Sequence, residues 1–154
     1  MRKIKIYLDS SVISHLDAPD KPDWMADTLM LWEQIKAGMY EVYISDVVIG
    51  GVSDNTEPKR SMLFQYLSQI QYTIVPIDDE VKSYATKLHN EGILSDKHYN
   101  DCLHIGCAAV SDCSILLSWN LKHNVKAKTI NGVRSINAIL GYRNIDIYTP
   151  TIFI

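Results

Sequence analysis

Tyr99-Asn-Asp-Cys-Leu-His-Ile-Gly-Cys-Ala-Ala109, followed after a short apolar run by Ser118-Trp-Asn-Leu-Lys-His123, decides how this chain folds. The first segment reads as a helix carrying Asp101 near its start. The second closes the strand Ile115 to Ser118 on polar side chains that can meet that aspartate. Asp9 stands in the same relation to the first strand, Ile4-Lys-Ile-Tyr-Leu8, and is followed by Ser10-Ser11. Carboxylates far apart in sequence, both tied to strand ends, imply one shared site.

Between these landmarks strands and helices alternate. Ser10 or Ser11 caps a short helix running to His15. Met25, Leu29, Trp32 and Ile35 recur at helical spacing after Pro22, and Gly38 stops them. Glu41 to Ser45 and Tyr72 to Val75 read as strands, with a helix from Ser61 to Ile70 between them. Asp78-Asp79-Glu80 opens a further helix where negative charge favours its dipole, and Gly92 lies past its end. Ser95 is the expected cap of the Asp101 helix. Asn131 to Leu140 forms the last helix, ended by Gly141, and Asp146 to Tyr148 the last strand. The alternation predicts an α/β fold, one domain over 1–154, with a mostly parallel sheet flanked by helices. In that architecture ligands gather outside the carboxyl ends of the strands. Asp9, Ser45 and Ser118 would all stand there.

Bulk properties agree with one core. A chain of 154 residues suits a single domain that buries about two-thirds of its unfolded surface. No apolar run approaches the ~18 residues of a membrane span, and Lys5 and Asp9 interrupt the first apolar segment too soon for a signal peptide. The chain therefore reads as cytoplasmic, with no membrane partner. Cys102, Cys107 and Cys113 form no CxxC pair and read as reduced packing residues. The net charge of -3 excludes a globally basic nucleic-acid binder. Its distribution is uneven, for Ser114 to Ile145 holds no Asp or Glu but carries Lys122, Lys126, Lys128, Arg134 and Arg143. That stretch is either a solvated helix face or a cationic surface that draws a polyanion towards acidic groups.

Asp9 and Asp101 are oxygen donors of the kind hard divalent cations prefer, and Mg²⁺ or Mn²⁺ needs only one or two protein carboxylates when water and phosphate complete the shell. Such an ion suits phosphodiester hydrolysis. Asn120 adds a carbonyl oxygen and an amide donor for a water-mediated shell or for a phosphate. His104, three residues after Asp101 on nearly the same helix face, either touches a carboxylate or phosphate or packs as a satisfied histidine. Lys122 and His123 either contact an RNA backbone or form a solvated turn. Ser10 either helps hold Asp9 and its water or caps the helix. Other chemistries lack their residues. The first strand is not followed by GxGxxG, Ser11 stands where a phosphoaspartate phosphatase needs a second Asp, and Tyr72 to Pro76 offers no phosphorylatable Asp.

Four ordered segments, Tyr7-Leu-Asp-Ser-Ser-Val-Ile-Ser14, Tyr43-Ile-Ser-Asp-Val-Val-Ile49, Asn100-Asp-Cys-Leu-His-Ile105 and Ser118-Trp-Asn-Leu-Lys-His123, together resemble the PIN-domain family, and within it the VapC-like toxins of bacterial toxin-antitoxin modules. Tyr148-Thr-Pro150 is similar to the tail of that subgroup. The resemblance implies a Mg²⁺- or Mn²⁺-dependent endoribonuclease, a small antitoxin partner and a homodimer. By position, Asp9 matches the first acidic residue of the family, Asp101 the third, and Asn120 the place of the fourth. Where the family has its second acid, a glutamate, this chain reads Val48-Ile-Gly-Gly-Val52, with Gly51 at the expected position. Glycine supplies no ligand oxygen and weakens a helix by up to about 1 kcal/mol relative to Ala. Asp46, Asp54 and Glu57 are candidate substitutes. Asp46 lies roughly 140° around the helix from Gly51, and so reads as a cap. The resemblance leaves two outcomes: a nuclease of reduced turnover, or a catalytically silent domain that binds RNA or protein.

Overall fold

A computed structural model describes residues 2–153. Five parallel strands, β1 (Ile4–Leu8), β2 (Tyr40–Ser45), β3 (Thr73–Val75), β4 (Ile115–Leu117) and β5 (Asp146–Tyr148), lie in the order β3-β2-β1-β4-β5. The sheet is thus wholly parallel. Seven α-helices cover it among the described residues: α1 (Ser10–Ser14), α2 (Pro22–Lys36), α3 (Asp46–Ser53), α4 (Lys59–Leu67), α5 (Asp79–Asn90), α6 (Tyr99–Val110) and α7 (Ala127–Leu140). None is long and apolar enough to cross a membrane.

Alternation along the strands builds two cores. Ile6, Leu8, Val42, Ile44 and Leu117 face α1 to α4, where Ile13, Leu31, Trp32 and Leu63 are buried. Tyr7, Leu116 and Ile147 face α5 to α7, where Tyr84, Leu88, Ile105 and Val133 close the other layer. Inner strands covered on both faces are apolar almost throughout, as parallel sheets require. Gly106 permits the close contact of α6 with α5, since a Cβ there would stand 3.1 Å from the Val81 carbonyl oxygen. All three cysteines are free and buried.

The strand order reverses at β1, with β2 on one side and β4 on the other. Pairing of Leu8 with Leu117 brings the ends of β1 and β4 level, and the Asp9 N–H extends the ladder to the Leu117 carbonyl at 3.3 Å. This switch point is where an open α/β sheet leaves a crevice for ligands.

Several helix starts differ from the sequence expectation, each for a local reason. Asp9 caps α1, not Ser10 or Ser11, because its carboxylate reaches the N–H groups of both Ser11 and Val12. Asp46 is the first residue of α3 and Ser45 precedes it without a side-chain cap bond. Ser95 precedes a short 3-10 turn, Asp96–His98, and α6 begins only at Tyr99. α7 starts a turn earlier than Asn131, at Ala127.

Candidate metal centre and cationic surface

The end of β1 delivers Asp9 and the first turn of α6 delivers Asp101 to one cleft of about 600 Å³. Asn120, Ser10 and His104 line the same cleft, as do Gly51 and Asp54 from α3 and its end. Asp9 is buried, and its two oxygens have separate tasks. Oδ1 accepts from the Ser11 N–H at 3.0 Å, the Ser11 hydroxyl at 2.5 Å and the Val12 N–H at 3.2 Å. Oδ2 accepts only from the side-chain Nδ2 of Asn124, at 3.2 Å. The same Nδ2 donates to Asp101 Oδ1 at 3.3 Å. One amide thus holds both carboxylates. Asn124 is fully buried and its Oδ1 is an orphaned buried acceptor, a situation that costs ~1–3 kcal/mol in an ordinary interior.

Asn120 meets Asp101 through its amide, Nδ2 donating to Oδ2 at 3.3 Å. Its own Oδ1 is occupied, accepting the His123 N–H at 3.1 Å. Asn120 therefore orients Asp101 and does not offer a free carbonyl. Ser11 ties the two strand ends together, since its hydroxyl oxygen accepts the Trp119 N–H at 2.8 Å. Trp119 stacks on Trp24, ring centroids 4.7 Å apart, and donates through Nε1 to Thr28 at 2.9 Å.

His104 is buried with both ring nitrogens engaged. The Tyr7 hydroxyl donates to Ser45 at 2.8 Å, so its oxygen accepts from His104 Nδ1 at 2.7 Å, and Nε2 accepts from Ser10 at 3.3 Å. Burial pushes the imidazole below its usual pKa against the pull of Asp9 and Asp101. The neutral ring suits these two hydroxyl partners. His104 reaches the cleft through the Ser10 hydroxyl.

Gly51 opens the cleft wall opposite this hydroxyl. A Cβ built there stands 3.4 Å from Ser10 Oγ, an ordinary contact. Of the candidate substitutes, Asp54 lines the cleft, Asp46 is exposed elsewhere, and Glu57 bonds Arg60 at 2.9 Å. Among the described residues no three His, Cys, Asp or Glu side chains converge as a metal cluster. What fits a cation is narrower: two carboxylate oxygens held by one amide nitrogen, and on that same amide an oxygen that has no partner. Such all-oxygen donors match Mg²⁺ or Mn²⁺, not a thiophilic metal.

Burial raises the Asp101 carboxyl above its ordinary value of 3.8, with Asp9 adding to the rise and His104, Asn124 and His98 opposing it. The folded chain therefore binds this proton more tightly than the unfolded one. The stability it brings is complete below the unfolded value and is lost as pH climbs through the folded one. In EDTA, the stability of the wild type relative to Asp101→Asn should fall as pH rises above the ordinary carboxyl value of 3.8. Parallel pH profiles in thermal melts would refute this assignment.

A second cavity, of about 180 Å³, adjoins the first and is lined by His98, Lys122, His123, Lys126 and Lys128. The rings of His98 and His123 face each other with centroids 3.5 Å apart, and His98 Nδ1 stands 3.7 Å from Asp101 Oδ2. Partial burial and the neighbouring His98, Lys126 and Lys122 depress the His123 pKa, opposed by Asp101. Of the remaining cations in the acid-free stretch, Arg143 pairs with Asp112 at 3.3 Å.

Sequence reasoning placed Asp9, Asp101, Asn120, Ser10 and His104 in one cleft, and the structure brings them together there. Lys122 and His123 lie in the adjoining cavity. Asn124, Tyr7 and His98 were missed. The signal for Asn124 was its place four residues after Asn120, the spacing of a single helical turn.

The fold is one α/β unit built on a parallel five-stranded sheet, consistent with a PIN-like fold. Among solved structures it is similar to a chain of VapBC2 from Rickettsia felis bound to a DNA fragment from their promoter, with a TM-score of 0.53 and 21% identity over 92% of this chain and 96% of that one. At that identity the likeness is one of fold. No family model matches the chain, and no curated protein matches it by sequence.

Proposed function

We propose that the chain is a divalent-metal-dependent endoribonuclease of the VapC toxin type. The observation that carries this reading is that Asp9 and Asp101 line one cleft at the sheet's switch point, with Asp9 Oδ2 and Asp101 Oδ1 facing the same Asn124 amide. The cationic cavity beside it supports a polyanionic substrate. In this reading Asp9 and Asp101 hold Mg²⁺ or Mn²⁺, which when bound lowers the pKa of an attacking water and neutralises charge on the phosphoryl oxygens. Asn120 keeps Asp101 in register. Ser10, backed by His104 and Tyr7, presents a hydroxyl to a phosphate oxygen or to water. Lys122 and His123, with Lys126 and Lys128, hold the RNA backbone as it enters. The structural neighbour is a VapBC complex, which supports a small antitoxin as partner; a homodimer completes the proposal.

The test is cleavage of a mixed RNA pool in Mn²⁺ and in EDTA. Cutting in Mn²⁺ alone is expected. Equal cutting in both would overturn the metal reading. Replacing Lys122 and Lys126 together by Glu should weaken RNA binding ~10-fold or more and flatten its salt dependence, since each phosphate contact on a single strand contributes about 0.7 to the slope. An unchanged slope would place the RNA elsewhere.

A second reading, a silent domain that binds RNA or protein, rests on Gly51, which brings no carboxylate to the cleft wall beside Ser10. Metal-dependent cleavage by the wild type would end it.

A further inference from the structure

Asn124 and Asn120 are both amides beside Asp101, yet only one is fixed in orientation. Asn120 Oδ1 accepts the His123 N–H, so turning its amide would set two donors against each other. Asn124 has no such anchor. Its Nδ2 faces Asp9 Oδ2 at 3.2 Å, Asp101 Oδ1 at 3.3 Å and Ser118 Oγ at 3.4 Å, while its Oδ1 is buried with no partner. A half turn about the last side-chain bond exchanges oxygen and nitrogen without changing the volume filled. The far oxygen gains no hydrogen bond where it stands, and the Ser118 hydroxyl can donate or accept. The two carboxylates are therefore the strongest influence on which end faces them. Bare, they choose the NH₂ group. With a cation between them, they choose the oxygen.

The spacing suits that exchange. Oxygens on adjacent corners of an octahedron with bonds of about 2.1 Å to Mg²⁺ stand ~3.0 Å apart. The near atom of the Asn124 amide already lies 3.2 and 3.3 Å from the two carboxylate oxygens.

We propose that Asn124 is a metal ligand, its amide turning on cation binding so that Oδ1 joins Asp9 and Asp101 as a third oxygen donor. The proposal rests on the metal-dependent reading above and extends it to a residue outside the expected acid set. The same amide then guards the site in both states: as a donor it holds the carboxylates together, and as an acceptor it completes their grip on the ion.

Mn²⁺ binding measured by calorimetry and by electron paramagnetic resonance tests this without reference to cleavage. Wild type, Asn124→Leu, Asn124→Asp and Asp101→Asn are compared, with folding checked by thermal melts in EDTA. Asn124→Leu should bind Mn²⁺ at least tenfold more weakly than wild type, and Asn124→Asp as tightly or more so. Binding by Asn124→Leu equal to or tighter than wild type would show that the amide only competes with the ion, and would overturn this inference while leaving the metal reading intact. No Mn²⁺ binding by the wild type, or none lost in Asp101→Asn, would overturn both. Should Asn124→Leu fail to fold, the side-chain carbonyl ¹³C resonance of Asn124 in the wild type decides: a shift on adding Mg²⁺ that Asp101→Asn abolishes supports ligation, and an unmoved resonance overturns it.

Discussion

Asp101→Asn is expected to lower metal-dependent RNA cleavage by ~100-fold or more while the protein stays folded. Losing the hydrogen bonds that support a metal ligand typically costs about 10–100-fold, and this substitution removes the charge of a proposed ligand itself. The position is well suited to the test. Asp101 sits in the first turn of α6, and no backbone cap depends on its carboxylate. Asp9 is less clean, because its Oδ1 also caps α1 through three donors. Initial rates in Mn²⁺, with an EDTA control and circular dichroism on the same samples, measure the effect. Cleavage that survives the substitution would locate the activity outside this cleft.

Gly51→Glu is the converse experiment and should raise cleavage by ~10-fold or more. Position 51 faces the cleft, and a Cβ there makes only ordinary contact with Ser10. The helix gains as well, since a non-glycine residue inside α3 removes a penalty of about 1 kcal/mol. Opposing this, a third carboxylate near Asp9 and Asp101 adds repulsion when no cation is bound. The two effects separate in thermal melts. In EDTA the variant should differ little from wild type; in saturating Mn²⁺ it should gain more than wild type does, about 1.4 kcal/mol for each tenfold gain in affinity. A variant that gains nothing in Mn²⁺ would show that residue 51 does not face the ion.

The sheet and its crevice were legible because buried parallel strands write themselves as short apolar runs, and because Asp9 and Ser118 follow two of those runs directly. Helix starts were less so. Ser10, Ser11 and Asp9 are all good caps by composition, and only the backbone path shows that the Asp9 carboxylate reaches Ser11 and Val12. Ser95 was misjudged because a 3-10 turn intervenes before α6. Asn124 escaped notice for a deeper reason. A polar residue in a loop ordinarily faces water, and its spacing from Asn120 does not by itself say that this one is driven inward by two carboxylates delivered from β1 and α6. His104 was readable as either packing or contact, and the structure gives both, a buried ring that speaks to the cleft through Ser10.

The centre of the sheet has a consequence for when this protein becomes what it is. β1 precedes its neighbour β4 by more than a hundred residues, and Asp9 is bonded to Asn124 across a separation of 115 residues. A chain made from its N-terminus, folding as it emerges, cannot close the cleft until β4 and the turn after it have left the ribosome. Long-range parallel pairing of this kind also forms slowly. The order of the strands therefore makes the cleft a late product of synthesis, formed well after β1 has been made.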